Sequence, residues 1–285
     1  MTDTAHARSI NASEKTTREL KALFGKLGTK ENPRGRIVSA YRVARKAIKP
    51  ELEAGNIRAA QDILIELNIS VQAAATLILQ EAAILGLSQA ETEAEIYALD
   101  TTPSIDPVTI ALGVNAISAQ VDLQTQKTLS TLATGGDPTL IIGDASRVGL
   151  LSPAVVVKEA ANWITNIAML TTIGAMLAPS AESEFMRQAI AAIDERTTDC
   201  CLRVHGQAQP IGKQFELSGT PRYADKMMHS PFHGYCRTSI ALVSVKDAKD
   251  DLTGIMKSAA RSELNARKAT GTLVEIHPSD AFSGR

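Results

Sequence analysis

Apolar residues recur every three or four positions through the first two thirds of the chain, the period of a helix with one buried face. Thr16 with Glu19 has the form of a capping box, after which Leu20, Leu23, Phe24 and Leu27 predict a helix that Gly28 ends. A second helix is predicted over Ile37–Ile48, closed by Pro50. Others follow over Glu51–Leu67, over Ser70–Leu85 with Gly86 as a stop, and from a further capping box at Ser88 and Glu91. Asp106 before Pro107 places proline at a first helical position and opens a long run from Val108 to Ala133, which tolerates Gly113 and is stopped by Gly135 and Gly136. Ser152 and Pro153 repeat that signal ahead of Val155–Leu177, closed by Pro179, whereas the apolar run Thr139–Asp144 reads as a short strand or a buried connection.

Near residue 187 the texture changes, and Gly, Pro, His and Cys cluster. Gln188–Ile193, the alternation around Phe215 and Leu217, and the β-prone run Thr238–Val243 predict two or three strands. Helical spacing returns over Lys246–Lys268, with Leu252, Ile255, Met256, Ala259 and Ala260 as its apolar face, and an extended tail follows from Gly271. The expected fold class is therefore α+β. A helical region over 1–136 leads through a connector and long apolar helix (137–186) to a small Cys/His-bearing module (187–245), then to a helix and tail (246–285). No internal repeat or low-complexity tract interrupts this order.

Composition supports a helical assembly. Hydrophobic residues make up 44% and charged residues 21%, but aromatic residues only 4%, so alanine, isoleucine and leucine must fill the core. A formal net charge of -1 conceals a polarity along the chain. Basic residues recur from Arg8 to Lys49, and from Glu51 to Asp106 the acidic residues are opposed by Arg58 alone. A basic arm beside an acidic block suits contact with DNA phosphates or an acidic partner; it equally suits two blocks paired with each other or with water. Three cysteines, two of them adjacent, are not a secreted disulfide framework, and the first residues lack the apolar core of a signal peptide, so synthesis in a reducing cytoplasm is expected. Ala160–Ala178 is uncharged and nearly long enough to span a membrane. Asn162 and Asn166 inside it favour a buried helix, so a membrane partner is not expected.

Cys201 with His205, and His233 with Cys236, form two pairs separated by a loop that can fold back on itself. Cys201 and His205 would share a helical face, and His233 and Cys236 could close around a turn, which together make a plausible tetrahedral zinc set. His229 is a competing ligand. Buried reduced thiols with hydrogen-bonded histidines, or a disulfide, account for the same residues. No phosphate loop, dinucleotide glycine pattern, nucleophile elbow or helical zinc-protease motif is present, and no nucleophile stands visibly beside a base.

The stretch IDERTTDCCLRVHG at 193–206, followed by SPFHGYCR at 230–237 and a β-prone run, resembles the Mu F-like minor head protein domain of tailed bacteriophages, the phage head morphogenesis family. Asp194, Arg196, Thr197, Cys201, Gly206, Pro231, His233, Cys236 and Arg237 fall on that family's pattern, which covers only about residues 187–243. Many members have Cys-x-x-Cys after Asp-x-Arg-Thr. Here Thr198 stands at the first of those cysteines, and His205 could substitute. Where Pro-Asn often separates the histidine from the cysteine, Gly234 and Tyr235 stand instead.

The resemblance implies a minor virion component of few copies, inside the head or at the portal. Such a protein acts in head morphogenesis and in DNA packaging or delivery, with portal, capsid or scaffolding proteins as partners and no enzymatic activity. It also implies structural roles for Asp194, Arg196 and Arg237, the arginines satisfying carboxylates or carbonyls around a turn. The alternatives are a metal-dependent nuclease using His229 or His233 and a membrane-active ejection protein using Ala160–Ala178.

Overall fold

A computed structural model of the chain describes residues 4–24, 33–100, 105–145, 153–176, 184–234 and 236–272. Six helices come first: α1 (Ala5–Phe24), α2 (Pro33–Glu53), α3 (Ile57–Tyr97), α4 (Pro107–Ala133), α5 (Pro138–Ala145) and α6 (Pro153–Met176). Then follow β1 (Phe185–Ala191), α7 (Asp199–Val204), β2 (Ala208–Pro210), β3 (Phe215–Glu216), β4 (Lys226–Met227), β5 (Thr238–Ser244), a 3-10 turn at Asp247–Lys249, and α8 (Asp251–Thr270). The fold is mostly helical α+β, as the residue pattern predicts. Gly28, Pro179, Leu177, Ser152 and the tail beyond Thr272 lie outside the described residues.

Three helices predicted between Glu51 and the acidic segment are in fact one of 41 residues, α3, about 60 Å long at 1.5 Å per residue. Nothing at Asn68–Ser70 breaks a helix, and Ser88 is simply helical. Gly86 is a packing position rather than a stop: a Cβ there would lie 2.2 Å from the Thr165 carbonyl oxygen of α6. The Thr165 hydroxyl meanwhile donates to the Ala82 carbonyl of α3 at 2.9 Å. Gly113 of α4 likewise faces the Leu79 and Ile164 methyls.

Pro50 does not close α2, which runs on to Glu53. A proline in the last turn forfeits one backbone bond while its φ suits the helix. The run at Thr139–Asp144 belongs to helix α5, because Asp137 before Pro138 accepts the Thr139 amide at 2.9 Å and starts a helix as Asp106 starts α4. On α8 the inward face is Thr253, Met256, Ala260 and Arg267, whereas Ile255 and Ala259 are exposed.

Among the described residues two large hydrophobic cores form, beside a small cluster of Ile190, Ala241 and Met256. One, among α2 to α6, is built on Tyr41, Leu64, Val71, Ile78, Leu79, Ile117 and Ile164. The other gathers Phe185, Phe215, Phe232, Cys201, Cys236 and Ile240 of the module and takes in Ala90 of α3 and Met169 of α6. Strands run β2-β1-β5, all antiparallel, with Phe185 opposite Ser244 and Ala191 opposite Thr238; β3 and β4 pair separately. By length and composition α3 could cross a membrane. Its core face is here covered by other helices, and so is much of α6, where Ala161, Ile164, Thr165, Asn166 and Ala168 are buried.

Helix α1 begins eleven residues before the predicted capping box at Thr16, and it does so for a polar reason. The outer edge of β5 has no partner strand among the described residues. Ser9 instead donates to the Leu242 carbonyl at 2.5 Å, Ser13 reaches the Ile240 carbonyl at 3.2 Å, and Gln89 of α3 donates to the same oxygen at 2.7 Å. Glu93 accepts the Leu242 amide at 3.2 Å and the Gln89 amide at 3.0 Å. His6, wholly buried, joins Asp250, the N-cap of α8, at 2.8 Å and Gln188 of β1 at 2.7 Å. Every one of these bonds satisfies a buried group that would otherwise cost about 1–3 kcal/mol.

Burial pushes the Glu93 carboxyl from an ordinary 4.5 up to about 8, against the opposing hydrogen bonds from Gln89, Leu242 and Ser9. Between those values the folded chain keeps a proton that the unfolded chain releases. Stability therefore falls as pH rises through that window, and the loss levels off above it. Glu93→Gln removes the titration. Urea unfolding between pH 5 and about 9 should show a decline on the order of a few kcal/mol in the parent and a flatter profile in the variant; parallel profiles would refute the assignment.

Candidate metal centre

Strand β1 runs into a turn built by Asp194. Its carboxylate accepts the Arg196 amide at 3.0 Å and its carbonyl the Thr197 amide at 3.0 Å, the local bonding that makes Asp a turn former. Two arginines grip this turn. Arg237, just after the second motif segment, pairs with the Asp194 carboxylate and reaches the Thr197 hydroxyl at 3.1 Å. Arg267 of α8 donates to the carbonyls of Thr197 and Asp194, both at 2.5 Å, and is steadied by Glu263 at 2.7 Å. Burial opposes ionisation of Asp194, yet the bonds from Arg237 and the Arg196 amide hold its carboxyl below the usual carboxylate range. The Arg196 side chain is exposed; contrary to expectation, only its backbone serves the turn in any hydrogen bond identified there.

Thr198 then caps α7, which Arg203 and Asp199 brace with a 2.9 Å ion pair. One turn in, Cys201 faces the returning segment, where the Cys236 amide donates to the His233 carbonyl at 3.2 Å. The result is a buried triad. Cys201 Sγ lies 2.9 Å from His233 Nε2 and 3.6 Å from Cys236 Sγ, and all three ligand atoms fall within 4.8 Å of one another. His233 Nδ1 stands 2.5 Å from the Gly234 carbonyl, so it carries the ring proton and Nε2 offers its lone pair to the cluster. The Thr198 hydroxyl lies 2.8 Å from that same Nε2.

A hydrogen bond from Cys236 holds the Cys201 thiol below its ordinary value, while burial drives Cys236 well above it. Cys200, adjacent in sequence, is not one of the three clustered ligand residues and is pushed up to about 12, chiefly by burial. Two sulfurs and an imidazole whose far nitrogen is fixed by a carbonyl form a donor set that could hold a metal ion. Around a tetrahedral zinc such ligand atoms stand roughly 3.5–3.8 Å apart. The sulfur pair already meets that spacing. The Cys201–His233 contact, now 2.9 Å, would open by at least about 0.6 Å.

His205, expected as the fourth ligand, is not part of the group. Helix α7 ends at Val204, and although the His205 amide still donates to the Cys201 carbonyl at 3.1 Å, its imidazole is turned to strand β1 instead of the triad. Its Nδ1 accepts the Ala191 amide at 2.9 Å, and burial lowers its pKa to about 4. His229 also stands outside the triad, donating from Nδ1 to the Ser230 carbonyl at 2.7 Å beside the Trp163 ring. Gly206 adopts φ +75°, and a Cβ there would meet Lys257 and Met256 of α8 at 3.1 and 3.3 Å, which accounts for glycine at the close approach of the two helices. Pro231 leads into buried Phe232, whose ring meets Phe215 edge-on at 5.8 Å. Tyr235 lies outside the described residues.

Three contributors escape a reading by motif. Arg187, buried in the middle of β1, donates to the Met228 and Lys213 carbonyls and covers the Phe215 ring at 5.2 Å, pinning two loops to the sheet. Asn162 of α6 reaches the Cys236 carbonyl at 3.4 Å. Arg267 is the third, and its position on the inward face of an amphipathic helix was its sequence signal. No protein-family model, curated protein or solved structure matches the chain.

The 3.6 Å sulfur contact makes a definite redox prediction. Mild oxidation with diamide of the metal-free chain should join Cys201 to Cys236 and leave Cys200 as the free thiol, as read by peptide mass mapping after alkylation. A disulfide through Cys200, or three free thiols, would show that the triad is not assembled in solution.

Proposed function

We propose that the chain is a minor structural protein of a tailed-phage virion, associated with the portal or inner head, and that its Cys/His module is a Mu F-like domain stapled by a structural zinc ion. One observation carries the reading: the two motif segments, with residues 207–229 between them, converge on one turn and one buried triad. Arg237 grips Asp194 beside Cys201, His233 and Cys236. Asp194, Arg237 and Arg267 spend their charge on each other and on turn carbonyls, which suits a structural part better than a catalytic one. Zinc fits two thiolates and an imidazole, and a small module with a modest core gains most from such a staple. The exposed apolar side chains Val43, Ile65, Ile84 and Leu112 on α2, α3 and α4 supply surfaces by which helices dock on portal or capsid subunits.

Two measurements test the parts separately. Elemental analysis of the purified chain should find zinc near one equivalent, lost in His233→Ala and kept in His205→Ala, and chelation should lower Tm by several degrees. Zinc retained by His233→Ala would remove the proposed staple. For the role, cross-linking mass spectrometry of intact particles should join this chain to portal or inner head subunits; its absence from purified particles would end the virion reading.

A further inference from the structure

Helices α7 and α8 border a cleft of about 470 Å³ whose lining includes none of the three triad residues, and its charge is one-sided. Lys257, Arg261 and Lys268 line it from α8 and Arg203 from α7, with Gln207, Ser218 and Asn265 as neutral polar neighbours and, among the described residues, no carboxylate and no Phe, Tyr or Trp ring in the lining. Arg203 is already engaged by Asp199, and the nearby Glu263 by Arg267, so neither carboxylate neutralises the three α8 cations. At the cleft wall stands His205. Because its Nδ1 accepts the Ala191 amide, the neutral ring carries its proton on Nε2, a further donor on a residue lining the same space. Gly206 lets Lys257 close against the end of α7, which sets one edge of the cleft.

We propose that this cleft binds the phosphodiester backbone of nucleic acid. The spacing of the cations selects a strand over a single small anion. Lys257, Arg261 and Lys268 share one helix face, about 6 Å and then about 10 Å apart along its axis, so the row spans roughly 16 Å. Duplex DNA presents a phosphate charge every ~1.7 Å of axis, and a row of that length meets several. Without a Phe, Tyr or Trp platform, and with the His205 ring buried, the contact is to backbone, indifferent to sequence and sensitive to salt. The N-terminal basic region is a weaker candidate, since Lys15, Arg18 and Lys49 already pair with Glu19, Glu14 and Glu53 on their own helices. This assignment stands on the cleft alone and does not depend on a virion role.

The test is fluorescence anisotropy of a short labelled duplex with the full chain across a chloride titration. Lys257→Gln/Arg261→Gln/Lys268→Gln should weaken binding at low salt by about tenfold or more and reduce the log-log salt slope by up to about 3. Arg42→Gln/Lys46→Gln, on exposed positions of α2, should change neither by a comparable amount. The three cleft side chains are exposed, so the melting temperature of the triple variant should match the parent, and Lys257→Arg/Lys268→Arg should retain affinity as a charge-preserving control. Unchanged binding in the triple variant, or loss confined to the α2 variant, overturns the proposal. So does inorganic phosphate displacing the duplex far better than chloride at equal ionic strength, which would mark a small-anion site.

Discussion

A buried strand edge governs this architecture. β5 is the last strand of its sheet, and its outer backbone groups at Ile240 and Leu242 face protein instead of water. Two helices answer them with side chains: Ser9 and Ser13 from α1, Gln89 and Glu93 from α3. An edge sealed in this way cannot recruit a foreign strand, a hazard that exposed edges carry. The same bonds tie the first helix of the chain to a module that begins some 180 residues later, so the polar seal fixes the tertiary arrangement as firmly as apolar burial does.

That seal also marks the limit of what periodicity could show. Helices with an apolar stripe and a strong start signal were legible: α4 from Asp106 and Pro107, α6 from Pro153, and β5 from its β-branched run. The first part of α1 was not, because its buried residues include His6, Ser9 and Ser13, which a hydrophobic pattern reads as solvent-facing. Gly86 misled for a related reason. Its meaning depends on α6, 79 residues away from Gly86 at Thr165, and no local rule distinguishes a glycine that admits a neighbour from one that ends a helix.

At the candidate site, three of the four residues expected as ligands come together as a group that could hold a metal ion, and the fourth stands apart. The i, i+4 spacing does bring the His205 amide to the Cys201 carbonyl, but its ring is spent on the Ala191 amide of β1. Thr198 occupies the neighbourhood instead, with its hydroxyl on the very imidazole nitrogen that faces the cysteines. An ion held by Cys201, His233 and Cys236 would thus keep one position beside a neutral oxygen, a looser enclosure than four protein ligands provide. Asp194, Thr197 and Arg237, by contrast, meet as their spacing in the two segments suggests, and Arg267 completes the grip from a helix that no motif included.

The length of α3 has a mechanical corollary. Its first half packs against α2, and Ala90 near its far end enters the module's core. A continuous helix resists bending over such a distance, so the triad's module and the far helical layer cannot tilt independently. Whatever seizes the exposed flank of α2 and α3 would swing the opposite pole of the molecule through a proportionate arc, as an oar turns about its lock.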